Sequence, residues 1–347
     1  MRAIVVATAA TPPGAEREIE LGERPRIDYL ELSRRLEAPC VDYSSLGAHD
    51  GAVRRLEDGL RTDFRQAVHA ARIVRRGRYD VVLSLSERVG VPLTPMLPPD
   101  VKHVVVVHHP LSRRRLLLMR VLDIGRRWNM TVAISRAEAE ALRGALRLKR
   151  DRVAVLNTPV DTRFLHPAGG SAYGSAGDHV ESLGLSCRDY PTLIRAMRLL
   201  PDVTCYLRAG SSWMSGTARY DRAAVPSNVH PKPFVPPRAL RDCYAASRFV
   251  VVPIRRTSQW SAGCTSVQQA QAMGRPVVAT RMPGLRDYVL DGETGILVEQ
   301  ADPVALAGAI DHLWGNAEVA AAMGRRARDW VEANFSLDRW VESVAAL

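Results

Sequence analysis

The stretch from Phe249 to Val298 constrains the fold of this 347-residue chain most, because it alternates apolar runs with a helix and tight loops. Phe249–Ile254 is continuously apolar, which is typical of a parallel strand covered on both faces. A polar loop with a glycine follows, and then a predicted helix at Ser266–Met273 and a predicted strand at Val277–Thr280. This order sets backbone N–H groups and the positive end of a helix beside the carboxyl edge of a sheet, an arrangement that binds phosphate.

Charge and cysteine usage narrow the class of protein. The formal net charge of +11 suits an anionic ligand such as a nucleoside diphosphate, a nucleic acid or an acidic membrane. The chain has no lysine-rich tail and no RNA-binding aromatic motif, so we do not expect nucleic acid as a partner. The five cysteines are scattered and form no Cys-x-x-Cys pair, which argues against a disulfide framework and a structural zinc site. We therefore expect a cytoplasmic protein, and no apolar run is long enough to span a bilayer.

The sequence of the N-terminal half predicts a second set of parallel strands. Arg2–Thr8, Tyr79–Leu85 and Lys102–Val107 are short apolar runs rich in β-branched residues. Apolar residues at helical spacing predict one long helix over Asp50–Arg76. Pro167–Asp178 is rich in Gly, Ser and Ala and is predicted to be a linker. The sequence therefore predicts two α/β domains.

Two segments resemble a known family. Asn157–Phe164, with the sequence NTPVDTRF, is similar to a pattern that reads roughly N-G-V-D-x-x-x-F. Residues 263–298 keep the spacing of E-A-M-A-x-G-x-P-V-V-A followed by D-G-x-T-G-x-L-V. The matching residues are Ala270, Ala272, Gly274, Pro276, Val277, Val278, Ala279, Asp291, Gly292, Thr294, Gly295, Leu297 and Val298. On these residues the chain resembles the family 4 (group 1) retaining glycosyltransferases of the GT-B fold.

The resemblance implies an α/β protein with two Rossmann-like domains whose parallel sheets face a central cleft. Residues 1–166 would form the acceptor-side domain, joined by a C-terminal crossing helix at 335–347. Residues 167–178 would be the linker, and residues 179–334 the domain that binds the nucleotide sugar. The implied enzyme moves a hexosyl or deoxyhexosyl group from a nucleotide-diphosphate sugar to an acceptor hydroxyl, with retention and without a metal or cofactor. The acceptor would be a small molecule, a glycan or a lipid-linked sugar.

For the donor, the resemblance implies that Arg188 grips the diphosphate, since a guanidinium is planar and bidentate. It also implies a phosphate-binding turn made by the backbone amides of Gly263, Cys264 and Thr265. Backbone groups near Gly210 would reach the donor. Lys232 lies in the segment that contacts the base in relatives, but it departs from their pattern there, so the base stays open.

The sequence departs from the family at the two positions where relatives carry glutamates. Ser261 replaces the residue that contacts the donor sugar, and Gln269 replaces the one at the nucleotide ribose. One interpretation is an altered donor that carries 2-deoxyribose or a deoxygenated sugar. The alternative is a catalytically inactive homologue that serves as a binding or scaffold subunit. An epimerase or phosphorylase of the same fold is a further alternative, which the family 4 pattern disfavours.

On the acceptor side, the resemblance implies that His108 and His109 line the catalytic centre together with Ser261. Glu87 follows a predicted strand and is expected either to bind an acceptor hydroxyl or to be a charge at a helix start. The segment Ser112–Arg127 mixes arginines with leucines. Contact with an anionic membrane surface is one interpretation. We favour the alternative, a helix with a solvated basic face and a buried leucine stripe.

Overall fold

The computed structural model describes residues 1–46, 55, 57, 59–108, 113–121, 123–167, 177–210 and 220–347. These residues divide into two compact units. Unit 1 comprises Met1–Arg17, Arg26–Asn157 and Asp338–Leu347, and unit 2 comprises Glu18–Pro25 and Thr158–Leu337. Each unit is built on a six-stranded sheet in which all paired strands are parallel. The predicted α/β class is confirmed.

The sheet of unit 1 has the strand order β2-β1-β3-β4-β5-β6. Its strands are β1 (Ala3–Val6), β2 (Cys40–Val41), β3 (Val81–Ser84), β4 (Lys102–Val107), β5 (Met130–Ala133) and β6 (Val153–Val155). The helices of this half are α1 (Ala15–Glu20), α2 (Asp28–Arg35), α3 (Phe64–Gly77), α4 (Glu87–Leu93), α5 (Arg113–Val121), α6 (Ile124–Arg127) and α7 (Arg136–Leu146).

The sheet of unit 2 has the order β12-β11-β10-β7-β8-β9. Its strands are β7 (Val180–Leu183), β8 (Cys205–Arg208), β9 (Val229–Pro231), β10 (Phe249–Val252), β11 (Val277–Thr280) and β12 (Gly295–Val298). The helices of this half are α8 (Tyr190–Arg198), α9 (Pro237–Ala246), α10 (Cys264–Ala272), α11 (Pro303–Gly315), α12 (Ala317–Phe335) and α13 (Leu337–Ala345). From Asp338 onward, α13 belongs to unit 1.

Strand β10 shows why its sequence is continuously apolar. Val250 and Val252 lie in a core cluster that includes residues of α9 and α10, whereas Phe249 and Val251 lie in a second cluster with residues of α8 and α11. Because successive side chains point to opposite faces of a sheet, a strand covered on both faces needs apolar residues at every position. The apolar run at Phe249–Ile254 therefore predicted a central strand correctly.

The boundary between the two units differs from the predicted one. Residues 158–166, which were assigned to the N-terminal domain, group with unit 2. The backbone of Val160 exchanges hydrogen bonds with Phe335 and Leu337, both at 2.9 Å. The buried guanidinium of Arg328 donates to the carbonyl oxygens of Thr162 and Leu165 at 3.0 and 2.6 Å. Of the predicted linker at 167–178, residues 168–176 lie outside the described residues.

One predicted helix is interrupted. Arg55, Glu57, Gly59 and Leu60 are helical, but helix α3 begins only at Phe64. Arg61 has a left-handed φ of 49° and Asp63 has φ −116° with ψ 65°, so neither continues a helix. Residues 50–54, 56 and 58 of the predicted helix lie outside the described residues. Among the helices that the structure describes, none is both long and apolar enough to cross a membrane.

Candidate functional site

The sheet of unit 2 has a point at which the direction of the chain reverses. Strands β7 and β10 are neighbours, but the chain continues from β7 toward β8 and β9, and from β10 toward β11 and β12. After these two strands, the chain therefore continues toward opposite sides of the sheet. In open α/β sheets such a switch point opens the crevice in which ligands bind.

The two loops at this point are tied together through their backbones. The N–H of Asp189 donates to the carbonyl of Pro253, and the N–H of Arg255 donates to the carbonyl of Cys187, both at 2.9 Å. Between these bonds, Arg188 and Ile254 form an antiparallel β-bridge. The bridge holds Arg188 at the edge of the sheet, next to the start of α10.

The guanidinium of Arg188 is fixed by three hydrogen bonds. Its Nε donates to the carbonyl of Leu183 at 3.0 Å, its Nη1 to the carbonyl of Ser186 at 3.0 Å, and its Nη2 to Ser266 Oγ at 2.7 Å. A guanidinium has five N–H donors, so one hydrogen on each Nη is left for a ligand. Gly184, with φ +113°, leaves the space that the guanidinium fills.

The charge of Arg188 has no anionic partner in the described part of the chain, where no carboxylate lies within ion-pair distance of it. Burial lowers the pKa of the guanidinium, but arginine stays protonated at neutral pH. A half-buried cation without a counter-ion is costly, and a bound anion relieves that cost. The electrostatics of this site therefore favour a phosphate.

Helix α10 begins beside Arg188. Gly263 stands at its N-cap with φ +90°, and the first intrahelical bond runs from the N–H of Val267 to the carbonyl of Gly263 at 3.0 Å. The N–H of Cys264 donates to the carbonyl of Ser261 at 3.1 Å, which closes the turn. Of the three predicted phosphate-binding amides, that of Cys264 is thus engaged within the protein. Thr265 is exposed in the first turn.

At the carboxyl ends of β8 and β9, the predicted residues Gly210 and Lys232 lie on neighbouring loops. The N–H of Lys232 donates to the carbonyl of Leu207 at 2.9 Å, and its exposed ammonium lies 4.8 Å from the ring centroid of Tyr206. A β-carbon at Gly210 would collide with the side chain of Phe234. The two loops therefore pack closely, with Gly210 providing the necessary space.

Unit 1 has its own switch point, where β1 lies between β2 and β3. Glu87 opens α4 after β3 and is only 2% exposed. Its Oε2 accepts from the backbone N–H of His108 at 3.0 Å, and His108 Nε2 lies 2.9 Å from the carbonyl of Leu85. Glu87 and His108 are thus neighbours, as their places after adjacent strands predict. His109 lies outside the described residues.

Two acidic residues near this point were not predicted from the sequence. Burial raises the pKa of the Asp28 carboxyl, while the N–H of Tyr29 and the proximity of His108 act to lower it. Asp42 follows β2 and accepts from the N–H and hydroxyl of Thr11 at 2.9 and 2.5 Å, which fixes the loop after β1. Neither aspartate belongs to a motif recognised in the sequence.

Comparison with known proteins decides the family. The model described as "Glycosyltransferase Family 4" matches residues 5–164, and the model described as "Glycosyl transferases group 1" matches residues 185–316. The chain belongs to the family 4, group 1 glycosyltransferases. Together the two models cover most of both units, so the resemblance inferred from the sequence is confirmed.

Individual relatives agree with this assignment. A D-inositol 3-phosphate glycosyltransferase of Xylanimonas cellulosilytica is 32% identical over 239 residues, which are 62% of this chain and 55% of that protein. The chain thus spans about half the length of that relative. The protein of the same name from Paenarthrobacter aurescens is 29% identical over 313 residues, covering 78% of this chain and 74% of that one.

Solved structures support the fold. Anabaena HepE, solved in complex with UDP, superimposes with a TM-score of 0.72 at 16% identity, and the match covers 100% of this chain and 99% of that one. This glycosyltransferase chain has the GT-B fold, as predicted.

Of the two positions that depart from the family pattern, Ser261 precedes helix α10 and Gln269 lies inside it. Ser261 is buried, and its hydroxyl packs where a β-carbon on Gly284 would stand. Gln269 is half-buried in α10, and its Oε1 accepts from the hydroxyl of Tyr244 at 3.0 Å. Each departure is therefore accommodated by a specific neighbour in this chain.

Sequence reasoning also missed a charged group inside unit 2. Glu181 lies fully buried on β7, 2.9 Å from the Nε of Arg208 and 3.5 Å from the Nε2 of His179. Arg208 also donates to the carbonyl of Pro233 at 2.9 Å. The buried carboxylate thus holds an arginine that supports the loop after β9. The charged residues within otherwise apolar predicted strands were the sequence signal that could have revealed this pair.

Proposed function

We propose that this chain is an enzyme that transfers a sugar from a nucleoside-diphosphate sugar to an acceptor hydroxyl. The observation that carries the proposal is Arg188, a fixed guanidinium beside the start of α10. Among the described residues, it has two unused N–H donors and no carboxylate partner. An N-terminal helix end and a guanidinium are both suited to a diphosphate. Among related folds, Anabaena HepE has been solved with UDP and with UDP-glucose, which supports a donor of this class.

The same groups would serve the chemistry. When the bond between the sugar and the diphosphate breaks, negative charge grows on the departing phosphate oxygen. Donors already held in place stabilise such charge without reorganising. We assign this role to Arg188 and to the backbone amides of Gly263 and Thr265. In this proposal the positive charge comes from the chain itself and the reaction is independent of metal, with retention at the anomeric carbon.

On the acceptor side, we assign His108 to the acceptor hydroxyl and Glu87 to the support of His108. Glu87 is almost completely buried and accepts from the main chain of His108, so it is suited to fixing the loop. Because His108 Nε2 faces a carbonyl oxygen, Nε2 carries a hydrogen, which leaves Nδ1 of the neutral imidazole as the acceptor. An imidazole held in one tautomer is suited to accepting a hydrogen bond from a hydroxyl.

Substitution of Arg188 tests the proposal. Arg188→Ala should abolish the thermal stabilisation given by UDP, GDP, ADP or dTDP and reduce sugar transfer at least 100-fold, since a charge-assisted contact in the transition state is lost. The matched control is Arg195→Ala, which removes an exposed arginine from the neighbouring helix α8. Unchanged nucleotide binding and turnover in the Arg188 variant would contradict the assignment.

The remaining parts of the proposal have separate readouts. Release of nucleoside diphosphate from a donor in the presence of acceptors distinguishes an enzyme from an inactive binding subunit. The anomeric configuration of the product, read by NMR, tests retention. Full activity in excess EDTA is expected, and loss of activity that Mg²⁺ or Mn²⁺ restores would contradict metal independence.

A further inference from the structure

Helix α10 carries three glutamines whose amides are turned in different ways. Gln268 and Gln271 are buried, and each points its NH2 group at the protein, toward the carbonyl of Thr158 and the side chain of Thr294 respectively. Gln269 is reversed. Its carbonyl oxygen Oε1 faces the protein and accepts from Tyr244, while its NH2 has no partner among the described residues.

The reversal follows from the contact with Tyr244. This tyrosine lies on the neighbouring helix α9, and its hydroxyl donates to Gln269 Oε1 at 3.0 Å. A hydroxyl that donates to the amide oxygen turns that oxygen toward the protein and leaves the NH2 on the other side. Near the start of the same helix as Gln269, Ser266 Oγ accepts from Arg188 Nη2.

The proposed function places Gln269 near the ribose of a bound nucleotide. From Gly263 to Gln269 is six residues, or about 9 Å along the helix axis. In a nucleoside diphosphate the ribose is attached directly to the phosphate. With the diphosphate at Arg188 and the start of α10, the ribose is the first group to reach the second turn. Gln269 is half-buried on that turn and would meet the ribose in this binding mode.

We propose that Tyr244 is a positioning residue that turns the Gln269 amide so that its NH2 faces the ribose. The inference rests on the proposed function, because it needs the diphosphate at Arg188. A carboxylate at this position would accept hydrogen bonds from both ribose hydroxyls, and such charge-assisted bonds are roughly twice as strong as neutral ones. The oriented NH2 can only donate to them. The site therefore reads the ribose as a hydrogen-bond acceptor and tolerates the loss of the 2′-hydroxyl.

The test compares matched nucleotides that differ only in the 2′-hydroxyl. Dissociation constants are measured by calorimetry for UDP and dUDP, GDP and dGDP, and ADP and dADP. The intact wild-type chain should bind the deoxynucleotide within about threefold of its ribonucleotide. In Gln269→Glu, which still accepts from Tyr244, the preference for the ribonucleotide should rise about tenfold, which corresponds to about 1.4 kcal/mol.

The Tyr244→Phe variant distinguishes a role of Tyr244 in orienting the Gln269 amide from a purely structural role. Without the hydroxyl, the Gln269 amide can turn its carbonyl oxygen toward the 2′-hydroxyl, and the ribonucleotide preference should rise about threefold. If Tyr244 had only a structural role, its loss would weaken the binding of both nucleotides equally. The ratio of their dissociation constants would then be unchanged. Asn334→Asp controls for the added charge, because this exposed amide at the end of α12 makes the same amide-to-acid change and should leave the ratio at its wild-type value.

Three results would overturn the inference. A wild-type preference of tenfold or more for the ribonucleotide would show that the 2′-hydroxyl is already recognised. An unchanged ratio in both the Gln269 and Tyr244 variants would show that the amide does not face the ribose. If no nucleoside diphosphate binds, the proposed function fails as well, whereas binding without the expected ratios refutes only the role of Tyr244.

Discussion

Replacing Gly263 with alanine tests why α10 begins where it does. The φ of +90° at this position lies in the region that residues with a β-carbon avoid, at about 1–2 kcal/mol. A β-carbon would also lie 2.9 Å from Val252 Cγ1 and 3.1 Å from Ile254 Cδ1, closer than ordinary contact. Both side chains are fully buried, so overpacking adds about 1–3 kcal/mol. We expect Gly263→Ala to cost about 2–5 kcal/mol, against a typical total stability of about 5–15 kcal/mol.

Two other glycines separate the two contributions. Gly292 also has a positive φ, +80°, but a β-carbon there would meet no atom within 4 Å, so its alanine variant should cost only the strain of about 1–2 kcal/mol. Gly308 lies inside α11 in open space with no positive φ. Because alanine is the better helix former, Gly308→Ala should stabilise the protein by about 1 kcal/mol.

The assay is urea unfolding of the three variants and the wild type, followed by circular dichroism and compared at equal slope with denaturant. Two compact units can unfold in separate steps, so the comparison applies to the transition in which unit 2 unfolds. The expected order of stability is Gly308→Ala above wild type, then Gly292→Ala, then Gly263→Ala. If Gly263→Ala were as stable as Gly292→Ala, the close approach to Val252 and Ile254 would have no energetic weight.

Two further predictions concern buried groups. Burial, with a smaller effect of Arg127, lowers the pKa of His103 to about 3 from 6.5, so the unfolded chain binds the extra proton first as the pH falls below 6.5. At pH 4.5 this difference in pKa should remove about 2–3 kcal/mol of the stability of the wild type. In urea titrations, the His103→Asn variant should lose correspondingly less stability than the wild type between pH 7 and 4.5. An equal loss in both proteins would contradict the prediction. Arg328→Met should cost about 3–5 kcal/mol in the same titrations, because the buried carbonyls of Leu165, Thr162 and Ala272 lose their donor; a cost below 1 kcal/mol would contradict that role.

The sequence revealed the elements whose physics is local. Strand β11 matches its prediction at Val277–Thr280, because four apolar or β-branched residues between a Gly-x-Pro turn and a charged loop leave few alternatives. For other parts of unit 2, the prediction came from the family pattern, whose glycines mark turns that favour glycine. The helix predicted from Asp50 failed because helical spacing of apolar residues does not reveal the left-handed residue at Arg61 that interrupts it.

The candidate site was predictable only in part. Arg188 was predicted from the resemblance to the family. The contact between Tyr244 and Gln269 was not predicted, because the two residues lie on different helices, 25 residues apart in the chain. Hydrogen bonds between residues on different elements leave no periodic trace in the sequence. The same reason conceals the ion pair of Glu181 with Arg208.

The charges at the two switch points assign the two halves of the proposed reaction to different units. In unit 2, the chain from Cys243 to Arg286 contains arginines but no acidic residue, and Arg188 lacks a carboxylate partner among the described residues. In unit 1, Glu87 and Asp42 stand at the corresponding carboxyl ends. Carboxylates repel a diphosphate but accept hydrogen bonds that order loops around a hydroxyl ligand. This charge pattern supports the proposal that the anionic donor binds in unit 2 and the neutral acceptor hydroxyl in unit 1.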